Sequence, residues 1–210
     1  MTHEPTGTET SPITDWDSMY REGTPSWETG RPAAELIRVL NEGRIPRGEA
    51  LEIGCGTGAD AVCLAKHGFD VTAVDSSPMA LERARTRARL ENASVIFVLD
   101  DVFGFIKHAG PFDFVYDAGF YHYQRQVDLD RYLDLLWRAT RPGSYYLGLV
   151  GSTGEEAEGG PPQVSEDEVR FELGRLFEVV ALRHFAFESP FRKEGYLGWS
   201  CLMRRPVIPR

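Results

Sequence analysis

The chain has little of what would tie it to a secreted scaffold, a membrane or nucleic acid. Only three of its 210 residues are cysteine. Cys55, Cys63 and Cys201 are odd in number and widely spaced, which suits neither a disulfide framework nor a zinc site. The five scattered histidines form no HxxxH or HxH pair, so no metal centre is expected. No stretch approaches the roughly eighteen consecutive apolar residues of a membrane span. The opening "MTHEPTGTETSP" is polar and acidic, without an apolar signal core, and residues 1–14 read as a disordered leader. A cytoplasmic location follows. Positive charge is also short: the formal net charge is −9. The basic clusters "RARTRARL" (83–90) and "MRRPVIPR" (203–210) read as a solvated helix face and a tail, so no nucleic-acid partner is expected.

What is present fits one folded domain of ordinary size, with 42% hydrophobic and 26% charged residues. From residue 49 to 151 strand-like and helix-like patterns alternate. Strands are predicted over 49–54, 69–75, 94–99, 112–118 and 144–151. Helices are predicted over 59–68, 76–92 and 128–143, the last closed by Pro142-Gly143, with a short helix or turn over 102–110. This alternation means a parallel sheet with helices on both faces. The tail differs: a Gly, Glu and Pro-rich loop, a helix from Ser165 with Glu168 three residues on, and two strand-like runs (178–188, 195–205). A turn containing Pro190 separates these runs, so they pair antiparallel.

The densest signal is "LEIGCGTGAD". Gly54, Gly56 and Gly58 lie between the first strand and its helix, where open parallel sheets bind ligands beyond their carboxyl ends. Asp75 ends the next strand, within the usual reach of a carboxylate that accepts from a ribose diol. A dinucleotide fingerprint reads GxGxxG; here Ala59 stands at the sixth place, and a tight turn with no ligand is the bland alternative.

The motifs in order narrow this. "LEIGCGTG", "VTAVDSSPMALERAR", "FVLDDVF", "FDFVYDAGFYHY" and "RYLDLLWRATRPGSYYLGLV" together resemble the class I S-adenosylmethionine-dependent methyltransferases. The resemblance is dense from about 49 to 151. It implies a Rossmann-like, seven-stranded, mostly parallel sheet with an antiparallel C-terminal hairpin. "WDSMYREGTPSWETGRPAAEL" (16–36) looks like the N-terminal segment of the thiopurine S-methyltransferase and thiol/halide methyltransferase group. The organisation implied is a single domain over 15–210: a lid segment (15–48), a cofactor-binding core (49–151) and a C-terminal helix and hairpin (152–210). Ala118 and Tyr123 depart from that group's bacterial pattern, in which Arg and a second His are common, which leaves room for a different acceptor.

The resemblance also implies roles. Gly54, Gly56 and Gly58 would let the backbone approach the methionine half of S-adenosylmethionine, and Glu52 would hold the loop from below. Asp75 would bind the ribose, with Ser76 beside the adenosine. Asp101 and Val102 would meet the adenine, Asp100 being a solvated neighbour. Trp27 and Arg31 would lie over the cofactor, with Tyr20 a weaker candidate. Asp117 would contact the cofactor's amino group or the acceptor, and His122 would serve as a base or as a structural residue. Phe120, Tyr121, Tyr123, Phe187, Phe191, Tyr196 and Trp199 are candidates for an acceptor wall. Arg125 and Arg192 are candidates to meet an anionic acceptor, although each is more simply a surface residue.

The expected activity is methyl transfer to a small-molecule acceptor, a thiol or other soft nucleophile, with S-adenosylhomocysteine as product. The alternative is O- or N-methylation of a specialised metabolite. The protein would be a monomer or homodimer. An NAD-dependent oxidoreductase would need a Tyr-x-x-x-Lys pair, and neither Lys107 nor Lys193 has a Tyr four residues before it. A non-enzymic cofactor-binding module would tolerate a damaged loop, and this loop is intact.

Overall fold

The computed structural model describes residues 16–23, 25–154, 160–189 and 192–207. The leader expected over 1–14, the turn proline Pro190 and the wall candidate Phe191 lie outside the described residues. Two short helices come first, α1 (Trp16–Glu22) and α2 (Ala34–Asn41). The alternating core follows: β1 (Glu49–Ile53), α3 (Ala59–Lys66), β2 (Asp70–Asp75), α4 (Pro78–Leu90), β3 (Val95–Leu99), α5 (Val102–Phe105), β4 (Phe112–Ala118), α6 (Phe120–Ala139) and β5 (Thr140–Ser152). The chain ends through β6 (Gln163–Val164), α7 (Glu166–Leu173), β7 (Glu178–Phe187) and β8 (Tyr196–Arg204).

The strands lie in the order β3-β2-β1-β4-β5-β8-β7. The first five are parallel; β8 runs antiparallel between β5 and β7. This is the expected seven-stranded path, with the two-residue β6 added beside the end of β5. The order reverses between β1 and β4, which opens a crevice at their carboxyl ends. Central β1 and β4 are largely buried, with the acids Glu52 and Asp117 enclosed among their apolar residues. Leu51, Ile53, Val115 and Leu136 belong to one core. Ala50, Val71, Phe114, Tyr116 and Leu147 belong to the other.

The caps follow the local chemistry. Ser77 accepts from Ala80 N–H at 3.0 Å, with Pro78 in the first turn of α4. Ser165 and Glu168 close a reciprocal capping box on α7. One helix departs from expectation. The helix predicted over 128–143 begins at Phe120, breaks at Asp128 (φ −160°, ψ 91°) and ends at Ala139. Its early start is imposed from outside the pattern. Gly119 takes φ 97°, and the Asp117 carboxylate accepts from the first helical N–H groups, of Phe120 (2.7 Å) and Tyr121 (2.9 Å). At the other end Thr140 turns extended, so β5 begins before Pro142-Gly143 rather than after it.

Candidate cofactor and acceptor site

The glycine loop joins β1 to α3, and its three glycines all have left-handed backbones, with φ 65° at Gly54, 51° at Gly56 and 74° at Gly58. Their surroundings separate them. A Cβ on Gly54 would meet only Phe120, at 3.8 Å; on Gly56 it would come within 2.7 Å of the Tyr20 hydroxyl. On Gly58 it would press to 2.8 Å of the Ala84 methyl and 3.1 Å of Phe97. Gly58 is therefore packed tightly against α4 and β3 at the start of α3, and Gly54 is the glycine open to the crevice.

Asp75 fixes the loop. Its Oδ2 accepts from Gly56 N–H at 2.7 Å and its Oδ1 from Ser77 N–H at 2.8 Å. Burial raises its pKa, and the N–H groups of Ser77, Gly56 and Ser76 oppose that shift. Glu52 was expected to hold the loop, but Asp75 does so. Glu52 is buried, and its Oε2 is the one enclosed side-chain polar atom without a partner among the described residues. Burial, then the charges of Asp60, Asp75 and Glu28, push its carboxyl well above the usual range. An enclosed, unpartnered carboxyl with acids around it is brought back toward its ionised form by a positive charge, so the surroundings suit a cationic ligand. S-adenosylmethionine, with its sulfonium and ammonium charges, fits that demand.

The N-terminal segment lies against this loop. Asp17 accepts from Ser77 Oγ at 2.6 Å and Met79 N–H at 3.1 Å. The Ser77 hydroxyl, then Arg21, hold its carboxyl down at about 2. Glu28 accepts from Thr57 Oγ1 at 2.5 Å and Gly30 N–H at 2.9 Å. The basic run on α4 corrects the reading of a solvated face. Arg83 donates to the Tyr20 carbonyl at 2.8 Å, and Arg87 donates to Gly30 O at 2.9 Å and Thr57 O at 3.1 Å. These arginines, with Asp17 and Glu28, tie the N-terminal segment to the glycine loop and α4; a charge run reads as solvated until something docks on it. Trp27 is 42% exposed, donates to the Tyr20 hydroxyl at 3.3 Å and meets Trp16 edge-on at 5.7 Å. Arg31 departs from its expected role: it reaches to Glu188 at 2.7 Å, and both side chains are exposed.

At the far end of the crevice Asp101 caps α5, accepting from Phe103 N–H at 3.2 Å, while its carboxylate stays exposed. Val102 is buried beneath it, and Ser76 is exposed at the end of β2.

The end of the crevice beyond β4 and β5, where the acceptor was expected, differs most from expectation. Asp117 is fully enclosed. Besides the two α6 N–H groups, its Oδ2 accepts from the Tyr132 hydroxyl at 2.6 Å, and Tyr132 in turn lies 3.1 Å from the Tyr146 hydroxyl. Burial pushes its carboxyl up to about 6, against those three donors. The side chain shapes the turn and offers no oxygen to a ligand. His122 is 3% exposed, and its Nδ1 accepts from Gly151 N–H at 3.1 Å. Burial alone lowers its pKa to about 3. Tyr121 is buried and donates to Glu172 at 2.6 Å. Arg125 also spends itself inside the fold, on Glu172 and Glu168. Trp199 is buried, donates to Val164 O at 3.1 Å and stacks on His184 at 3.8 Å. Phe187 packs on Phe185 at 4.5 Å, and Arg192 lies 5.4 Å from the Tyr196 ring. Half-buried Phe120 and Tyr123 are left facing the glycine loop and Trp16 respectively.

A glycine loop at a topological switch point, a strand-end acid at each of two neighbouring strands and an antiparallel last strand define a class I S-adenosylmethionine-binding enzyme. Comparison with known proteins agrees. The family model described as "Methyltransferase domain" matches residues 50–143. The chain is 30% identical over 158 residues to the 2-heptyl-1-hydroxyquinolin-4(1H)-one methyltransferase of Mycobacteroides abscessus, covering 74% of this chain and 69% of that protein. It is 29% identical over 172 residues to the probable thiol methyltransferase 2 of Arabidopsis thaliana, covering 80% and 75%. A solved structure described as "Conversion of a Disulfide Bond into a Thioacetal Group during Echinomycin Biosynthesis" superposes with TM-score 0.76 at 26% identity, covering 90% of this chain and 91% of that one. The chain belongs to the S-adenosylmethionine-dependent methyltransferase family. Among the described residues no helix is long and apolar enough to cross a membrane.

Proposed function

We propose that this methyltransferase acts on a small thiol or another soft nucleophile that arrives already ionised. The observation that carries the reading is the acceptor end itself. Of the two residues expected to handle a proton there, Asp117 is sealed inside the fold and His122 has Nδ1 occupied by a backbone N–H. A general base must be able to reach the proton it takes, with a pKa near the working pH. A thiolate needs no such group. The thiol and thiocyanate methyltransferases of Arabidopsis thaliana among the relatives support the same acceptor class. The second reading is O- or N-methylation of a specialised metabolite, favoured by the similarity to the hydroxyquinolinone methyltransferase.

S-adenosylmethionine supplies an activated methyl group on a sulfonium, so the chain has mainly to bind, align and exclude water. In this reading Asp75 and Asp101 hold the ribose and adenine, and Glu52 balances the positive charge beneath the loop. Trp16, Tyr20 and Trp27 close over the loop, tied down by Arg83 and Arg87. Phe120 and Tyr123 flank the acceptor. The N-terminal segment to residue 48 as a lid, a monomeric or homodimeric state, a cytoplasmic location and the absence of a nucleic-acid partner belong to the same proposal, the last supported by the net charge of −9.

The test is calorimetric titration with S-adenosylmethionine, S-adenosylhomocysteine and NADH, followed by an acceptor screen. Binding of both adenosyl ligands, lost in Asp75→Ala, and turnover of thiols or thiocyanate ahead of phenols and amines support the reading. Turnover of phenols or amines alone would replace it with the second.

A further inference from the structure

We infer that His122 is a fixed, neutral N–H donor that recognises the negative charge of the acceptor, and not a base. The inference rests on the methyl-transfer reading above and adds the contact by which the acceptor is selected. A backbone N–H can only donate, so the bond from Gly151 N–H to Nδ1 at 3.1 Å requires a lone pair on Nδ1. The neutral ring then carries its one proton on Nε2. Nε2 makes no hydrogen bond among the described residues, although the ring is 3% exposed. It is not sealed, since Oε2 of Glu52 is the one enclosed and unpartnered atom there.

Its direction is set by the fold. A Cβ on Gly119 would lie 3.5 Å from both Cε1 and Nε2, so this edge of the ring lies against the turn after β4. The next residue, Phe120, is the one that faces Gly54 across the crevice. Nε2 therefore lies at the turn whose next residue borders the glycine loop, where we place the acceptor. No charged side chain shifts the ring, and Tyr123 meets it edge-on at 5.0 Å. Taking a second proton would leave a cation in this enclosure, with Nδ1–H turned against Gly151 N–H. The group is built to donate and to stay neutral. Such a donor favours a thiolate, thiocyanate or oxyanion over the protonated or cationic form of the same molecule.

The test uses the whole chain, labelled with 15N-histidine and saturated with S-adenosylhomocysteine. Spectra are recorded from about pH 5 to about pH 9, across the range in which an ordinary histidine titrates. The His122 signal is assigned by its absence in His122→Phe. The expected result is the Nε2–H tautomer throughout and a saturable shift of that resonance with thiocyanate that chloride does not cause. In turnover, His122→Phe should raise the acceptor KM about tenfold to a hundredfold, with cofactor affinity retained. His122→Gln, which offers both an acceptor and a donor, should restore most of it. An Nδ1–H tautomer, a titration within that range, or a resonance unmoved by thiocyanate would overturn the inference. Failure to bind S-adenosylhomocysteine would instead overturn the cofactor reading beneath it, and the tautomer is readable without any turnover.

Discussion

Replacing Gly58 by alanine separates the two jobs done by one glycine loop. The new methyl would sit 2.8 Å from the Ala84 Cβ and 3.2 Å from its backbone Cα, with Phe97 at 3.1 Å. None of these is the loose end of a flexible chain, so α3 and α4 must part. Overpacking of this kind costs about 1–3 kcal/mol. The left-handed backbone at φ 74° adds about 1–2 kcal/mol for any residue with a Cβ. The sum is about 2–5 kcal/mol, which for a chain of this length lowers Tm by about 10 °C. Gly54→Ala pays only the conformational part, because nothing but Phe120 at 3.8 Å stands near its Cβ. Its Tm should fall by about half as much, while its methyl enters the crevice and weakens cofactor binding about tenfold or more. Scanning calorimetry with and without S-adenosylhomocysteine reads both effects. Equal losses of Tm in the two variants, or unchanged cofactor affinity in Gly54→Ala, would refute the division of roles.

Arg87→Ala removes the donor to both Gly30 O and Thr57 O; it should expose the N-terminal segment to limited proteolysis and weaken cofactor binding several-fold, with little change in Tm. Tyr132→Phe strips Asp117 of its 2.6 Å donor and should cost about 1–3 kcal/mol in urea denaturation. Asp117 has a folded pKa of about 6 against an ordinary 3.8. The native state therefore holds its proton longer than the unfolded chain, and this group's contribution to stability is full below about pH 4 and lost as pH rises to about 6. The loss is about 3 kcal/mol. Relative to Asp117→Asn, the wild type should lose stability across that window in calorimetric scans, and a pH-independent difference would contradict the assignment. Glu52, whose pKa is raised, has the same sign. Glu52→Gln should leave stability at low pH unchanged, raise it at neutral pH, and weaken S-adenosylmethionine more than S-adenosylhomocysteine in paired titrations.

Much of the fold was legible because alternating strands and helices admit one sheet type, and the glycines with Asp75 mark its switch point. The helix over 120–127 was not legible. Its start depends on Asp117 oxygens capping Phe120 and Tyr121, a contact no periodicity displays. The same fact explains the altered view of Asp117: a strand-end acid reads as a ligand until its neighbours are seen to consume it. Arg83 and Arg87 read as solvated for the opposite reason, since their partners are backbone carbonyls of a segment more than fifty residues away in the chain. For His122 the sequence left a base and a structural residue equally open, and the bond to its Nδ1 comes from Gly151, on the next strand, which no local pattern displays.

The central claim, transfer to an already ionised acceptor without an enzymic base, is tested most directly by the pH dependence of kcat/KM. It should be measured with an aryl thiol and an alkyl thiol of well-separated pKa, in the wild type and in His122→Gln. The account predicts a rising limb that follows each thiol's own ionisation and stays in place in the variant. A limb at one common pH for both thiols, abolished by the substitution, would show that the protein supplies a base.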